Sequence, residues 1–393
     1  MVKELAVWLY LFYFNLQFTF FKSFGVKKDK IVFLVSFGDN ARFVYEALSK
    51  VQPDSTIIFL AEKKAQATLQ GMTKQPKIIR FNASLISLCK AAYHLATSKK
   101  VVVDNYFAIL SSITFQKDVE CIQLWHAAGA VKTFGLKDAS VALRSKRAHQ
   151  RFLNVYRNFH KVVVGSEAMA AVFSEAFGLP QERFLKTGVP RTDLFFNEPH
   201  MKAIKQALYK ENPLLQQKKV ILYAPTYRDD QLESFQLALD LDLLQKELGE
   251  EYVMLIRCHP VLQSALDLEA RYPGFAFDYS LKPDVNELLL VTDLLISDYS
   301  SIPYEFSLLN KPMLFFPYDL GEYSKTRGLW DQYPNLVPGP IVTSTNEMIT
   351  VIKEEAYNMT HIMKFSQKWN EYHHGKSSQR LAQYILETER VRH

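Results

Sequence analysis

From residue 30 onward, short runs of β-branched and apolar residues recur along the chain. They read KIVFLVS (30–36), TIIFLA (56–61), KIIRF (77–81), KVVVD (100–104), CIQLW (121–125) and KVVVG (161–165). Runs of this length, closed by polar turns, predict buried strands. Between most of them lie longer stretches with apolar residues at helical spacing, such as 40–50 and 85–96. Residues 197–218 turn polar and strand-poor, with Pro199 and Pro213, and mark a boundary. The alternation then resumes with KVILYA (219–224), YVMLIRC (252–258), DLLISD (293–298) and MLFFP (313–317), and helical spacing dominates from about 345. Strands alternating with helices predict parallel sheets covered on both faces. The expected fold is therefore α/β, with two tandem doubly wound Rossmann-like domains over 29–200 and 201–365 and a C-terminal helix over 366–393. There is no repeat at a fixed period and no low-complexity segment.

The first 28 residues stand apart. Residues 5–21, LAVWLYLFYFNLQFTFF, carry no charge and are crowded with aromatic rings. A membrane-spanning helix needs about 20 predominantly apolar residues, and this run is short and interrupted by Asn15 and Gln17. A secretory signal would show a basic start and a small-residue cleavage site. Here Lys3 is offset by Glu4, and Phe24-Gly25-Val26 is a poor cleavage site. Aromatic residues followed by Lys22, Lys27, Lys28 and Lys30 suit an aromatic helix lying in a membrane interface. That reading is favoured over a span and over a buried core helix.

Length and composition support this plan. A chain of 393 residues exceeds one ordinary core, and 48% hydrophobic with 22% charged residues is the balance of a folded protein. Cys89, Cys121 and Cys258 lie far apart, as in a protein of a reducing compartment. The net charge is only +6, yet Arg144, Lys146, Arg147, Arg151, Arg157 and Lys161 crowd one short span, 144–161. That run is either a solvated helix face or a surface for anionic lipid or phosphate, where each basic residue contributes about 1 kcal/mol. It lacks interleaved stacking aromatics on a strand, so nucleic acid is not an expected partner.

Doubly wound sheets bind ligands at the carboxyl ends of their strands, and the chemically unusual residues of this chain follow predicted strands. Asp104 and Asn105 follow KVVV, His126 follows CIQLW, and Pro225, Thr226 and Arg228 follow KVILYA. Arg257 and His259 close YVMLI, while Asp298, Ser300 and Ser301 follow LLIS. Taken alone, a histidine is more often structural than catalytic. Two histidines, an arginine and a serine pair at separate strand ends are hard to assign to chance. Ser300 and Ser301 precede Ile302, Phe306 and Leu309 at helical spacing. One serine there is an N-cap candidate, and a helix N-terminus with hydroxyls is also an anion site. Glu305 is either solvent-facing or an acceptor for a ribose. Arg228 beside Asp229 is either a surface pair or a bidentate phosphate contact. Pro260 holds His259 extended. Gly375-Lys376-Ser377 ends like a phosphate loop, but Asn370 stands where that loop needs its first glycine and no strand precedes it. There is no GxGxxG, no Asp-x-Asp after a strand and no histidine cluster at ligand spacing, so neither a cofactor nor a metal is expected.

The motifs taken together resemble those of a known family. WHAAG (125–129), KTFG (132–135), VGSE (164–167), GVPRTD (188–193), ILYAPTYRDD (221–230), CHP (258–260), SDYSSIPYEFSLLNKPMLFFPYDL (297–320) and RGL (327–329) occur in one order. Both the motifs and their order resemble the CDP-glycerol glycerophosphotransferase family, the teichoic acid enzymes of Gram-positive bacteria. The resemblance runs from about residue 30 to the C-terminus. The overall plan is most like the family's priming members, which add the first glycerol phosphate.

The resemblance implies a GT-B type fold and CDP-glycerol as donor, bound mainly by the C-terminal domain. It implies a lipid acceptor, N-acetylmannosaminyl-N-acetylglucosamine on undecaprenyl diphosphate, met at the cytoplasmic face of the cell membrane by a peripheral, monotopic enzyme. His126 matches the family's N-domain histidine and is the candidate general base. His259 matches the second histidine, expected to neutralise the donor pyrophosphate. Ser300 and Ser301 match the phosphate-binding pair, and Pro225, Thr226, Arg228, Arg257, Asp298, Glu305 and Arg327 are expected at the donor. Asp104, Asn105, Gly129 and Lys132 are expected on the acceptor side, Ala127, Ala128 and Gly129 leaving room for a sugar, and Lys132 either a surface charge or a diphosphate contact. One departure is His374-Gly375-Lys376-Ser377-Ser378, where family members often carry Asp before the glycine. The alternatives are a chain-extending glycerol- or ribitol-phosphate transferase, a UDP-sugar epimerase or glycosyltransferase of GT-B fold, and a non-catalytic scaffold. Homo-oligomerisation is left open.

Overall fold

The computed structural model describes residues 2–72, 74–82, 84–226, 228, 237–258, 267–281 and 284–387. They form two compact units, one built from 1–126, 134–193 and 372–393, the other from 127–133 and 194–371.

The first unit opens with helix α1 (Val2–Lys22) and then builds a seven-stranded parallel sheet. Its strands are β1 (Lys27–Val35), β2 (Thr56–Ala61), β3 (Lys77–Arg80), β4 (Ser98–Val103), β5 (Glu120–Gln123), β6 (Lys161–Val163) and β7 (Phe184–Leu185), in the order β3-β2-β1-β4-β5-β6-β7. Helices α2 (Asp39–Val51), α3 (Lys63–Gln70) and α4 (Leu85–Ala96) connect the first four strands. The chain winds outward from β1 to β3, then restarts at β4 on the other side. The switch point therefore lies between β1 and β4, where such sheets place ligands. Register follows the apolar runs, Val32 opposite Ile58 on one side and Val101 on the other. The last helix, Ser377–Glu387, returns to this unit, and its Leu381, Ala382 and Ile385 join a core with Phe33, Val44 and Phe59.

Helix α1 resolves the three readings of the N-terminus into a two-sided element. Leu11, Phe14 and Phe18 are buried, and the helix packs on α4 and on the short helix Ala108–Ser112. Asn15, a polar interruption in the apolar run, faces the protein and donates to the Ser112 carbonyl, and the other, Gln17, contacts Cys89 Sγ at 3.5 Å. On the opposite side Leu5, Trp8, Leu9, Phe12, Leu16 and Phe20 are all exposed, Trp8 at 56% and Phe20 at 60%. No helix among the described residues is long and apolar enough to cross a membrane.

The second unit is a five-stranded parallel sheet of β8 (Lys219–Ala224), β9 (Tyr252–Ile256), β10 (Ala276–Asp278), β11 (Leu294–Ser297) and β12 (Met313–Phe315), in the order β10-β9-β8-β11-β12. Its switch point lies between β8 and β11, which pair with Leu222 opposite Leu295. One face of the sheet is covered by Leu244, Leu248, Met348 and Ile352. The polar stretch 197–218 forms helices Glu198–Glu211 and Leu214–Gln217, without a strand.

Candidate active site

The first unit brings Asp104, Asn105 and His126 to the carboxyl ends of β4 and β5. Asp104 is turned inward. It is 1% exposed, and its oxygens accept from the backbone amides of Ser36 (2.8 Å), Phe37 (2.9 Å) and Gly38 (2.8 Å). Gly38 reaches this geometry with φ +88°, in the left-handed region that glycine enters freely. Burial raises the Asp104 pKa, and these amides oppose that rise. The start of α2, where a doubly wound fold commonly holds a phosphate, is thus filled by the protein's own carboxylate. That internal role accounts for Asp104. Asn105 is likewise engaged within the unit, donating to Ser36 Oγ at 2.9 Å and accepting from the Tyr106 amide.

His126 sits on a strained turn. Trp125 before it has φ +58°, which costs a bulky residue about 1–3 kcal/mol. The turn is held by side chains that pattern reasoning missed. The Gln123 Oε1 accepts from the Trp125 amide at 2.8 Å, and Asn40 Nδ2 donates to the Trp125 carbonyl at 3.0 Å. The imidazole stacks on Phe37 (4.4 Å between centroids) and on Trp125 (4.5 Å). Its Nδ1 lies 3.3 Å from the Asp104 carbonyl. A carbonyl only accepts, so in the neutral ring this contact favours the tautomer with the proton on Nδ1. That is the tautomer a general base needs.

The second unit gathers Thr226, Arg257 and Asp298–Ser301 at the ends of three adjacent strands, β8, β9 and β11. The organising group is Arg228, 7% exposed. Its Nη1 meets Asp298 at 3.0 Å, and its Nε and Nη2 grip Asp319 at 2.6 and 2.9 Å. The rings of Tyr299, Tyr318 and Tyr323 lie 4.8–5.1 Å from the guanidinium. Burial works against its charge, but Asp319 and Asp298 outweigh it and raise the pKa. Arg228 is therefore neither a surface pair nor an open phosphate fork; its donors are committed inside the unit. Asp298, also buried, accepts from the amides of Thr226 (2.9 Å) and Tyr299 (2.6 Å), tying the loops after β8 and β11 together.

At the serine pair, Ser300 Oγ accepts from the Ile302 amide at 3.2 Å, while Ser301 occupies the N-cap position without a side-chain capping bond. Glu305 is buried, not solvent-facing. Arg257 donates to the Tyr279 carbonyl at 2.7 Å, and Pro225 and Arg327 are half-buried. His259 lies outside the described residues.

Residues 127–133 pack within the second unit. Thr133 donates its amide to the Gly328 carbonyl (3.2 Å) and its hydroxyl to the Arg327 carbonyl (3.1 Å), and Lys132 forms an antiparallel bridge with Leu329. A Cβ on Gly129 would stand 2.1 Å from the Tyr304 ring. Close packing on Tyr304 explains this glycine without a sugar, and Lys132 and Thr133 are partners of 327–329 in one contact within the second unit. Asp193 caps the helix Ser377–Glu387, accepting from the Ser377 and Ser378 amides at 2.8 Å each. The helix start that resembles a phosphate loop is filled internally. No group of residues that could hold a metal ion occurs among the described residues.

Two parallel doubly wound sheets, each with its unusual side chains at the carboxyl ends of its strands, define a GT-B type fold. Residues 15–387 match the family described as CDP-Glycerol:Poly(glycerophosphate) glycerophosphotransferase, and the chain belongs to it. It is 37% identical over 386 residues to the teichoic acid glycerol-phosphate primase of Bacillus subtilis, covering 98% of both chains. It is also 37% identical over 380 residues to a teichoic acid poly(ribitol-phosphate) polymerase of Bacillus spizizenii, covering 95% of this chain but only 58% of that protein's length. The structure of the wall teichoic acid polymerase TagF matches with TM-score 0.80 and 27% identity over 100% of both chains. A histidine-to-asparagine variant of it soaked with CDPG matches with TM-score 0.80 at 26% identity, over 99% of this chain and 98% of that one.

Proposed function

We propose that the protein primes teichoic acid synthesis, moving glycerol phosphate from CDP-glycerol to N-acetylmannosaminyl-N-acetylglucosamine on undecaprenyl diphosphate and releasing CMP. The observation that carries this reading is the end-to-end match to a glycerol-phosphate primase, 98% of each chain. Nε2 of His126 takes the proton of an acceptor hydroxyl as its oxygen bonds to the phosphorus bearing glycerol. The bond from that phosphorus to the CMP oxygen breaks, and CMP leaves with the electron pair. A positioned imidazole contributes roughly 10²–10⁴-fold to such a step. Ser300, Ser301, Thr226 and Arg327 contact the donor phosphates, with His259 neutralising the pyrophosphate, while Arg228 and Asp298 shape the loops that carry the first three. Asn105 and Lys132 stand on the acceptor side.

The enzyme works at the cytoplasmic membrane face. The apolar row of α1 lies in the lipid interface, and the helix Lys146–Arg157 turns basic residues to anionic headgroups. Arg151 of that helix pairs with Glu4 of α1 at 2.8 Å, a link between the two elements.

The test is CMP release on membranes bearing the lipid disaccharide. Turnover requires donor and acceptor together, and His126→Ala abolishes it without unfolding the protein. Full turnover by that variant refutes the base assignment. The equal identity to a ribitol-phosphate polymerase favours one second reading, a ribitol-phosphate transferase. Faster turnover of CDP-ribitol than of CDP-glycerol would establish it.

A further inference from the structure

We infer that Asn40 is a positioning residue for the His126 imidazole, setting the ring's angle through the backbone of Trp125. This rests on His126 as the base and assigns a role to a residue outside every motif above.

Asn40 is buried in the first turn of α2, far in sequence from β5, and both ends of its amide are used. Its Nδ2 donates to the Trp125 carbonyl at 3.0 Å, and its Oδ1 accepts from the Arg191 amide at 3.0 Å. That carbonyl belongs to the peptide linking the left-handed Trp125 to His126. A bulky residue leaves φ +58° unless its surroundings hold it there. Gln123 holds the amide side of Trp125, and its own Nε2 is fixed on the Asn105 carbonyl at 3.0 Å. Asn40 holds the carbonyl side, so the ψ of Trp125, and with it the direction of the His126 side chain, is set by this amide. Arg191 fixes the orientation of Asn40 in turn: its backbone amide can only donate, so it takes Oδ1 and leaves the NH₂ for Trp125. Its guanidinium lies 3.7 Å from Asp39, the neighbour of Asn40.

Asn40→Asp keeps the acceptor for Arg191 and replaces the donor by an oxygen facing the Trp125 carbonyl, so the turn opens. The His126 ring stacks on Phe37 and Trp125 within 4.5 Å, and its ring protons therefore carry ring-current shifts visible by NMR in histidine-labelled protein. The signal is assigned by its loss in His126→Ala. The expected result is a His126 signal displaced toward its solvent value and a kcat lowered about 10- to 100-fold, with KM for CDP-glycerol unchanged. Asn40→Ala, which introduces no charge, carries the same comparison if the aspartate variant does not fold. An unmoved His126 signal overturns the inference, whether or not turnover falls. A moved signal with full turnover leaves the positioning role standing and refutes His126 as the base.

Discussion

Replacing Arg228 by methionine tests whether the second unit is organised around a buried cation. Arg228 has 7% of its side chain exposed and Asp298 has 2%, with Asp319 at 20%. Methionine fills most of the space between the three tyrosine rings but leaves Asp298 without its cation. Breaking a buried pair in this way costs about 3–5 kcal/mol, because the remaining charge is left uncompensated. For a unit of this size that lowers the melting temperature by roughly 6–20 °C. The loss also carries a pH signature. Burial already raises the Asp298 pKa, with Arg228 the largest opposing influence, so removing the arginine raises it further. A carboxyl whose folded pKa lies above its unfolded value binds more protons when folded, so stability falls as pH rises through that window. Arg228→Met is therefore closest to wild type at low pH and furthest from it near neutrality. Urea unfolding of both proteins between pH 4 and 8 measures this directly. A loss under 1 kcal/mol, or one that does not change with pH, refutes the buried-cation account.

Three further outcomes follow from the packing. Gly129→Ala drives a methyl into the fully buried Tyr304 ring and destabilises by about 3 kcal/mol, read by thermal melting. His373 is held neutral, its pKa pushed down to about 3, chiefly by burial, with His374, Arg191 and Arg380 adding to it. The wild type therefore loses stability as pH falls from the ordinary histidine value toward 3. His373→Gln flattens that acid limb in a denaturation series. Replacing Leu9, Phe12 and Leu16 together by serine weakens binding to anionic liposomes while leaving the melting temperature within a few degrees, because all three are already exposed.

Much of the architecture was legible because parallel strands buried on both faces must be apolar throughout. All ten apolar runs become strands. Phe184–Leu185 and Ala276–Asp278 escaped notice because two or three residues at a sheet edge leave no run to detect. The positions of the candidate residues were legible too, since a polar side chain directly after a strand stands out. Their directions were not. Arg228, Asp298 and Asp104 read as ligands-in-waiting, yet their partners inside the protein come from residues 91, 70 and 66–68 positions away. Only the fold brings those together. Asn40 looked like any polar residue at a helix start. Gln123 left one trace, an amide inside the otherwise apolar CIQLW.

The chain passes between its two units four times, and the stretch 127–133 is the shortest loan of one to the other. The modules are therefore not separable by cutting near residue 194. A fragment ending there would carry a strip of seven residues without its partners, and the complementary fragment would expose Tyr304 and leave Leu329 without its bridge to Lys132. A hybrid that exchanges the second unit for a relative's has to exchange 127–133 with it. In such a hybrid, the peptide that follows His126 travels with the second unit.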